Sequence, residues 1–277
     1  MVVLEVKNIG KVYQVDEMGL MSLEALKDIN LTVNKGEFIS VIGPSGCGKS
    51  TLFGIIGGLV ESTFGEIRVK GEIVKGPHPS IGMVFQEESA FPWLTTIENV
   101  EFGLRMARVN KKERRAKARE MIELVGLSGF ENHYPGELSG GMRQRVAIAR
   151  TLVMDPEIIL MDEPFGALDE QTRLILGEEL LRIWEKIKAT ILLITHSISE
   201  AIMLSERVLV MSGRPGSFKK MITVDIPRPR SSFIISTKRF SEITDEIWKE
   251  LKEEAAKGMK TWGLKELPGM DRAKKSN

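Results

Sequence analysis

Apolar residues fall along this chain in two rhythms, short continuous runs and longer stretches spaced at three and four, and their alternation predicts a layered α/β fold. Val2 to Lys7 and Ile29 to Val33 read as strands, the second closed by the turn Asn34-Lys35-Gly36. Glu37 to Ile42 is a short apolar run with the character of a buried strand, and a Gly-rich stretch separates it from an apolar segment of helical type. Gly65 to Val69 and Glu72 to Val74 predict a hairpin around Lys70-Gly71, and Ile81 to Phe85 a further strand ending at Gln86. Phe91-Pro92-Trp93-Leu94 breaks the pattern, and from Thr96 to Val125 the spacing becomes helical, with Asn110 and Glu113 at the offset of a capping pair. Ile158 to Met161 and Thr190 to Thr195 are two buried strands joined by a helix from Asp169 to about Lys188. Strands near Arg207 to Met211 and Met221 to Ile226 flank the turn Ser212 to Gly216. Phe240, Ile243, Ile247 and Leu251 then share one helical face, as expected of a helix packed on its own domain, and the tail from Lys257 has the composition of a frayed segment.

Composition changes this picture little. A hydrophobic content of 42% in 277 residues supports one large core with an appendage and excludes a disordered chain. The 39 basic and 38 acidic residues leave a net charge of +1, which argues against a nucleic-acid partner and against direct adhesion to an anionic membrane. Lys111 to Arg119 is locally basic, but Glu113 and Glu120 interrupt it, so a solvated helix face competes with a phosphate contact. No window approaches eighteen apolar residues. The single cysteine excludes an internal disulfide and, with the absence of a secretory leader pattern, leads to the expectation of a cytoplasmic protein whose membrane contacts pass through partners.

The chemistry concentrates at Gly43-Pro44-Ser45-Gly46-Cys47-Gly48-Lys49-Ser50, with Thr51 behind it. Between a strand and a helix this string is a phosphate cradle: the glycines let backbone N–H groups converge on oxygens, and the helix start adds partial positive charge. Lys49 would reach the β- and γ-phosphates and the Ser50 hydroxyl would ligate Mg²⁺. Cys47 is either a reactive thiol or a small residue that fits the turn. Asp162 and Glu163 end a core strand, where ionised carboxylates are costly without a cation; Asp162 is the natural metal-side carboxylate and Glu163 the natural base for an attacking water, a structural ion pair being the alternative. Ser139 precedes Gly140 and Gly141 at a helix start, which is either a second anion site or a plain cap. Tyr13 could stack on an adenine or sit in the core, Gln86 ends a strand, and His196, one of three histidines, ends another in a position that favours a γ-phosphate contact over a structural role.

Gly43 to Ser50, Gln86, Leu138 to Met142, Asp162-Glu163, Asp169 and His196 together resemble the ATP-binding cassette subunits of ABC transporters, in the order that family shows. The resemblance spans about residues 1–229. It implies a P-loop NTPase (RecA-like) α/β core with an N-terminal antiparallel β subdomain, an inserted α-helical subdomain at about 91–154, and a C-terminal helical extension and tail at 230–277. It further implies ATP and Mg²⁺ as cofactors, Tyr13 on the adenine, Gln86 sensing Mg²⁺, water and the membrane partner, and His196 on the γ-phosphate. Ser139, Gly140 and Gly141 would close over the ATP of a second copy, so that two chains sandwich two nucleotides. Met142 stands where the commonest signature has Gln, which touches a side-chain contact and leaves the backbone site intact. Gly76-Pro77, Met83 to Gln86, Phe91 to Leu94, the Leu138 to Arg145 signature and Ser212 to Arg230 are similar to the nitrate, sulfonate and taurine importer branch. The implied protein is a peripheral ATPase on the cytoplasmic side of a membrane, joined to permease subunits and, through them, to a solute-binding protein. A soluble ABC-type ATPase is the alternative; it usually carries tandem cassettes or a long coiled coil, and this chain has one phosphate loop and no sustained heptads. A P-loop GTPase would need an Asn-Lys-x-Asp reader that the chain lacks.

Overall fold

Strands buried on both faces give the continuous apolar runs seen in the sequence, and they form the central sheet of a computed structural model that describes residues 1–14, 22–86 and 90–261. In that sheet β3 (Phe38–Ile42) lies between β8 (Thr190–Ile194) and β9 (Arg207–Met211). Beyond β8 come β7 (Ile158–Asp162) and β6 (Ile81–Val84), all five parallel, while β10 (Phe218–Thr223) pairs antiparallel with β9 at the other edge. Every residue of β3 and β8 is buried.

The N-terminal sheet is antiparallel, in the order β2 (Ser22–Asn34), β1 (Val2–Gln14), β4 (Phe64–Val69), β5 (Glu72–Ile73). Its first two strands run further than their apolar spacing predicts, because register shifts interrupt the alternation. Asn8 and Asp28 take positive φ at these shifts, and the Asn8 N–H is held by Asn30 Oδ1 at 2.9 Å. The hairpin around Lys70-Gly71 forms as expected, with Val69 opposite Glu72. Helix α1 (Lys49–Ile56) is packed between the two sheets, its Leu52, Phe53 and Ile56 fully buried.

Between β6 and β7 the chain inserts α2 (Thr96–Val100), α3 (Phe102–Met106), α4 (Lys111–Leu124) and α5 (Gly140–Leu152). Ile97, Val100, Ala118, Ile122 and Val146 bury together and continue through Val84 and Met161 into the central sheet. Within the basic run of α4, Lys111, Lys112, Lys117 and Arg119 are exposed, while Arg114 and Arg115 each place Nε 3.2 Å from the buried carboxylate of Glu101. After β7 come α6 (Glu170–Ile187), capped by Asp169, then α7 (Ile198–Leu204) and α8 (Lys238–Thr261).

The structure corrects the reading of the last strand. The last strand lies at Phe218–Thr223 rather than Met221 to Ile226, because Lys219 and Lys220, polar in sequence, are neutralised by glutamates of α8 and are free to pair with β9. At the start of α7, Ser197 accepts from the Glu200 N–H, but the Glu200 carboxylate accepts from the Thr195 hydroxyl instead of returning to the cap. Phe240, Ile243 and Ile247 of α8 are buried with Ile202, Val208, Val210 and Ile222, so this helix shares the core of the sheet it covers. Arg230 fastens the approach to α8: 7% exposed, it donates to the carbonyls of Ile226, Ile202, Ser205 and Val224. Burial pulls its pKa down to about 10. The tail expected from Lys257 starts inside α8, which runs on to Thr261, and residues 262–277 lie outside the described residues.

Candidate functional site

Parallel strands present their C-terminal ends to one side of a sheet, and here the loops after β3, β6, β7 and β8 converge there. The loop after β3 wraps the start of α1. Gly46 and Gly48 take φ of +73° and +102°, conformations that a side chain would strain, and a Cβ on Gly48 would lie 2.7 Å from Leu26 of β2. The Lys49 ammonium reaches back to donate to the carbonyls of Gly43 (2.9 Å) and Pro44 (3.1 Å), which anchors it inside the turn. Cys47 is 1% exposed and its thiol points into the core beside Lys49; burial pushes the thiol pKa up, so the residue fits the turn and is not a reactive thiol. Ser45, Gly46 and Ser50 stand at the exposed rim, with Thr51 half-buried behind them.

Across from the loop, Asp162 ends β7 and its carboxyl accepts a hydrogen bond from the Ser50 side chain. Burial raises the Asp162 pKa, the adjoining Glu163 adds to the rise, and Ser50 and Lys49 oppose it. Its Oδ1 is buried without a hydrogen-bond partner. An orphaned carboxylate oxygen beside a hydroxyl is a donor set suited to a hard divalent cation.

Glu163 follows in a left-handed conformation, φ +45°, held by its N–H on the Ile194 carbonyl at 2.9 Å. That unusual backbone aims the carboxylate across the strand ends. Its Oε2 lies 3.2 Å from His196 Nδ1 and accepts from Gln86 Nε2 at 3.4 Å. Three residues far apart in sequence, after β6, β7 and β8, therefore meet at one oxygen. His196 is half exposed, with its ring open to a ligand.

Other expected residues stand apart from this group. Tyr13 is half-buried near the end of β1, opposite Leu23, with the Lys11 ammonium 4.8 Å from its ring centroid. Ser139 caps α5 by accepting from the Met142 N–H at 3.3 Å, and Gly140 and Gly141 abut Leu168, Thr172 and Leu176. Among the described residues no hydrogen bond joins Ser139, Gly140 or Gly141 to the phosphate loop. Trp93 is 70% exposed and lies against Phe91, with ring centroids 5.6 Å apart.

Two positioning residues escaped sequence reasoning. Asn99, fully buried, accepts from the Phe91 N–H at 2.7 Å and donates to the carbonyls of Phe91, Leu94 and Thr95, fixing the loop that displays Trp93. Glu200 holds the Thr195 hydroxyl, which itself accepts from the Ser197 N–H at 3.0 Å, so the turn carrying His196 is braced from beneath. A buried polar residue in an otherwise apolar helical stripe was the available signal for both.

Residues 26–166 match the family described as ABC transporter. The nitrate import ATP-binding protein NrtD of Synechocystis sp. is 45% identical over 250 residues, covering 88% of this chain and 93% of that protein. The aliphatic sulfonates import ATP-binding protein SsuB of Bacillus cereus is 48% identical over 226 residues, covering 82% of this chain and 88% of that protein. The ATP-binding cassette MJ0796, solved as a dimer in a post-hydrolysis state bound to ADP and Pi, aligns with a TM-score of 0.70 at 35% identity. It covers 81% of this chain and 100% of its own.

Proposed function

This chain belongs to the ABC transporter family, and from that premise we propose that it is the ATP-binding, ATP-hydrolysing subunit of an importer for a small oxyanion of the nitrate or sulfonate kind. The observation that carries the reading is the single Glu163 oxygen shared by Gln86 and His196, set beside Asp162 and the phosphate loop. Lys49 and the N–H groups of Gly43 to Thr51 bind the triphosphate, and Tyr13 meets the adenine. Glu163 takes the proton of the attacking water, Gln86 orients that water, and His196 contacts the γ-phosphate. Ser50, Asp162 and Gln86 are the residues that would hold Mg²⁺, which would neutralise charge on the phosphate oxygens.

The cassette occupies residues 1–229, with its helical subdomain at about 91–154, and 230–277 form the extension. Ser139, Gly140 and Gly141 face the ATP of a second copy, a reading supported by their separation from this chain's own phosphate loop. Trp93 and its loop form the docking place of a permease subunit, which contacts a solute-binding protein in turn. No helix among the described residues is long and apolar enough to cross a membrane, consistent with a peripheral subunit on the cytoplasmic side.

Glu163→Gln keeps the shape and removes the proton acceptor. ATP turnover should fall about 10² to 10⁴-fold while ATP affinity is retained. An unchanged hydrolysis rate would remove Glu163 from this role.

A further inference from the structure

The turn between β9 and β10, Ser212 to Ser217, is pressed against the back of the phosphate loop. A Cβ on Gly216 would sit 2.0 Å from the Cys47 carbonyl oxygen, so only glycine permits the approach. Arg214, an exposed residue, donates from Nη2 (3.0 Å) and Nε (3.3 Å) to the carbonyl of Gly46. Its neighbour Gly213 donates its N–H to Glu254 of α8 at 2.9 Å. Glu254 is only 5% exposed and is further held by Lys219 (3.4 Å) and Lys257 (2.7 Å). A chain of contacts thus runs from the C-terminal helix to the tip of the phosphate loop.

The orientation of one peptide depends on it. A trans peptide is planar, with its C=O and N–H pointing in opposite directions. Pinning the Gly46 carbonyl toward Arg214 therefore turns the Cys47 N–H to the other side, where it faces the Pro44 carbonyl at 3.4 Å. That contact lies at the long end of the hydrogen-bond range, and the glycines on both sides of Cys47 bring no side chain to brace the peptide. Lys49 restrains the carbonyls of Gly43 and Pro44, and Arg214 restrains that of Gly46.

We propose that Arg214 is a positioning residue for triphosphate binding, holding the Gly46 carbonyl and with it the tip of the phosphate loop in the conformation that receives the phosphates, and that Glu254 places this restraint under α8. The proposal rests on the phosphate-loop reading above. The test is calorimetric ATP affinity of the full chain, with melting temperature measured without nucleotide. Arg214→Met, which keeps length and loses the donor, should weaken ATP about tenfold and leave the nucleotide-free melting temperature unchanged. Arg214→Lys should recover most of the affinity. Glu254→Ala should weaken ATP about threefold and add nothing in the Arg214→Met background, since both act through one contact. ATP affinity within about twofold of the parent for Arg214→Met, or a loss of melting temperature that accounts for the change, overturns the positioning role. Fully additive effects overturn the link to α8. The separate control is Lys49→Ala: if it binds ATP as the parent does, the phosphate-loop reading falls and takes the proposal with it.

Discussion

Glu200 lies 5% exposed beneath the turn that carries His196, and burial raises its pKa above the ordinary glutamate range. The Thr195 hydroxyl, Arg173 and His196 oppose that rise and Glu163 adds to it, yet desolvation dominates. The folded protein therefore holds this proton more tightly than the unfolded chain. Stability is fully present below the ordinary value near 4.5 and is lost as pH climbs through the raised one. Glu200→Gln removes the titration, so its melting temperature should exceed the parent's by a margin that is small in acid and widens toward neutrality. A margin that shrinks toward neutrality would show that Arg173 keeps the carboxylate ionised. Glu163 shows the same economy of position by another route: its left-handed backbone, of a kind that costs about 1–3 kcal/mol, is what turns the carboxylate to Gln86 and His196. Neither property is written in the residue type.

Among the elements, the loop from Phe91 to Leu94 shows most clearly how a display surface is made. Asn99 ties three carbonyls and one N–H of this loop to the first turn of α2, and the tie leaves Trp93 outside. On the function proposed above, this exposed aromatic on its tied loop is a docking contact. Trp93→Ala should therefore lower transport in cells, by about tenfold if the indole is a central contact, while the isolated subunit keeps its ATPase rate and melting temperature. A fall in melting temperature would return Trp93 to a structural role. The apolar run Phe91 to Leu94 was legible in sequence, whereas its exposure was not, because exposure is set by the buried amide of Asn99 eight residues on.

At the scale of the whole molecule, the site is divided. The phosphate loop, Asp162, Glu163, Gln86 and His196 gather at the C-terminal ends of the central strands, while Ser139 starts one of the helices inserted between β6 and β7. A second copy would complete each site with the other's α5, so ATP bound at both sites should favour association. Light scattering of the Glu163→Gln variant should give a monomer without nucleotide and a dimer with ATP. A monomer under both conditions would leave Ser139 as a helix cap and nothing more. The solved MJ0796 cassette, to which this fold aligns, is itself dimeric.

The sequence by itself determined the parallel core, since doubly buried strands must be continuous apolar runs, and the phosphate loop, since its glycines and lysine serve local backbone geometry. It also marked Asp162 and Glu163, because carboxylates closing a core strand are costly without a purpose. Only the tertiary structure decided that Glu163, Gln86 and His196 share one oxygen, for their convergence depends on the order β6, β7, β8 in the sheet and not on any spacing along the chain. The same holds for β10, whose two lysines become strand-compatible once the glutamates of α8 lie over them. It holds again for Arg214, an exposed arginine in a turn until folding lays that turn against Gly46, 168 residues away.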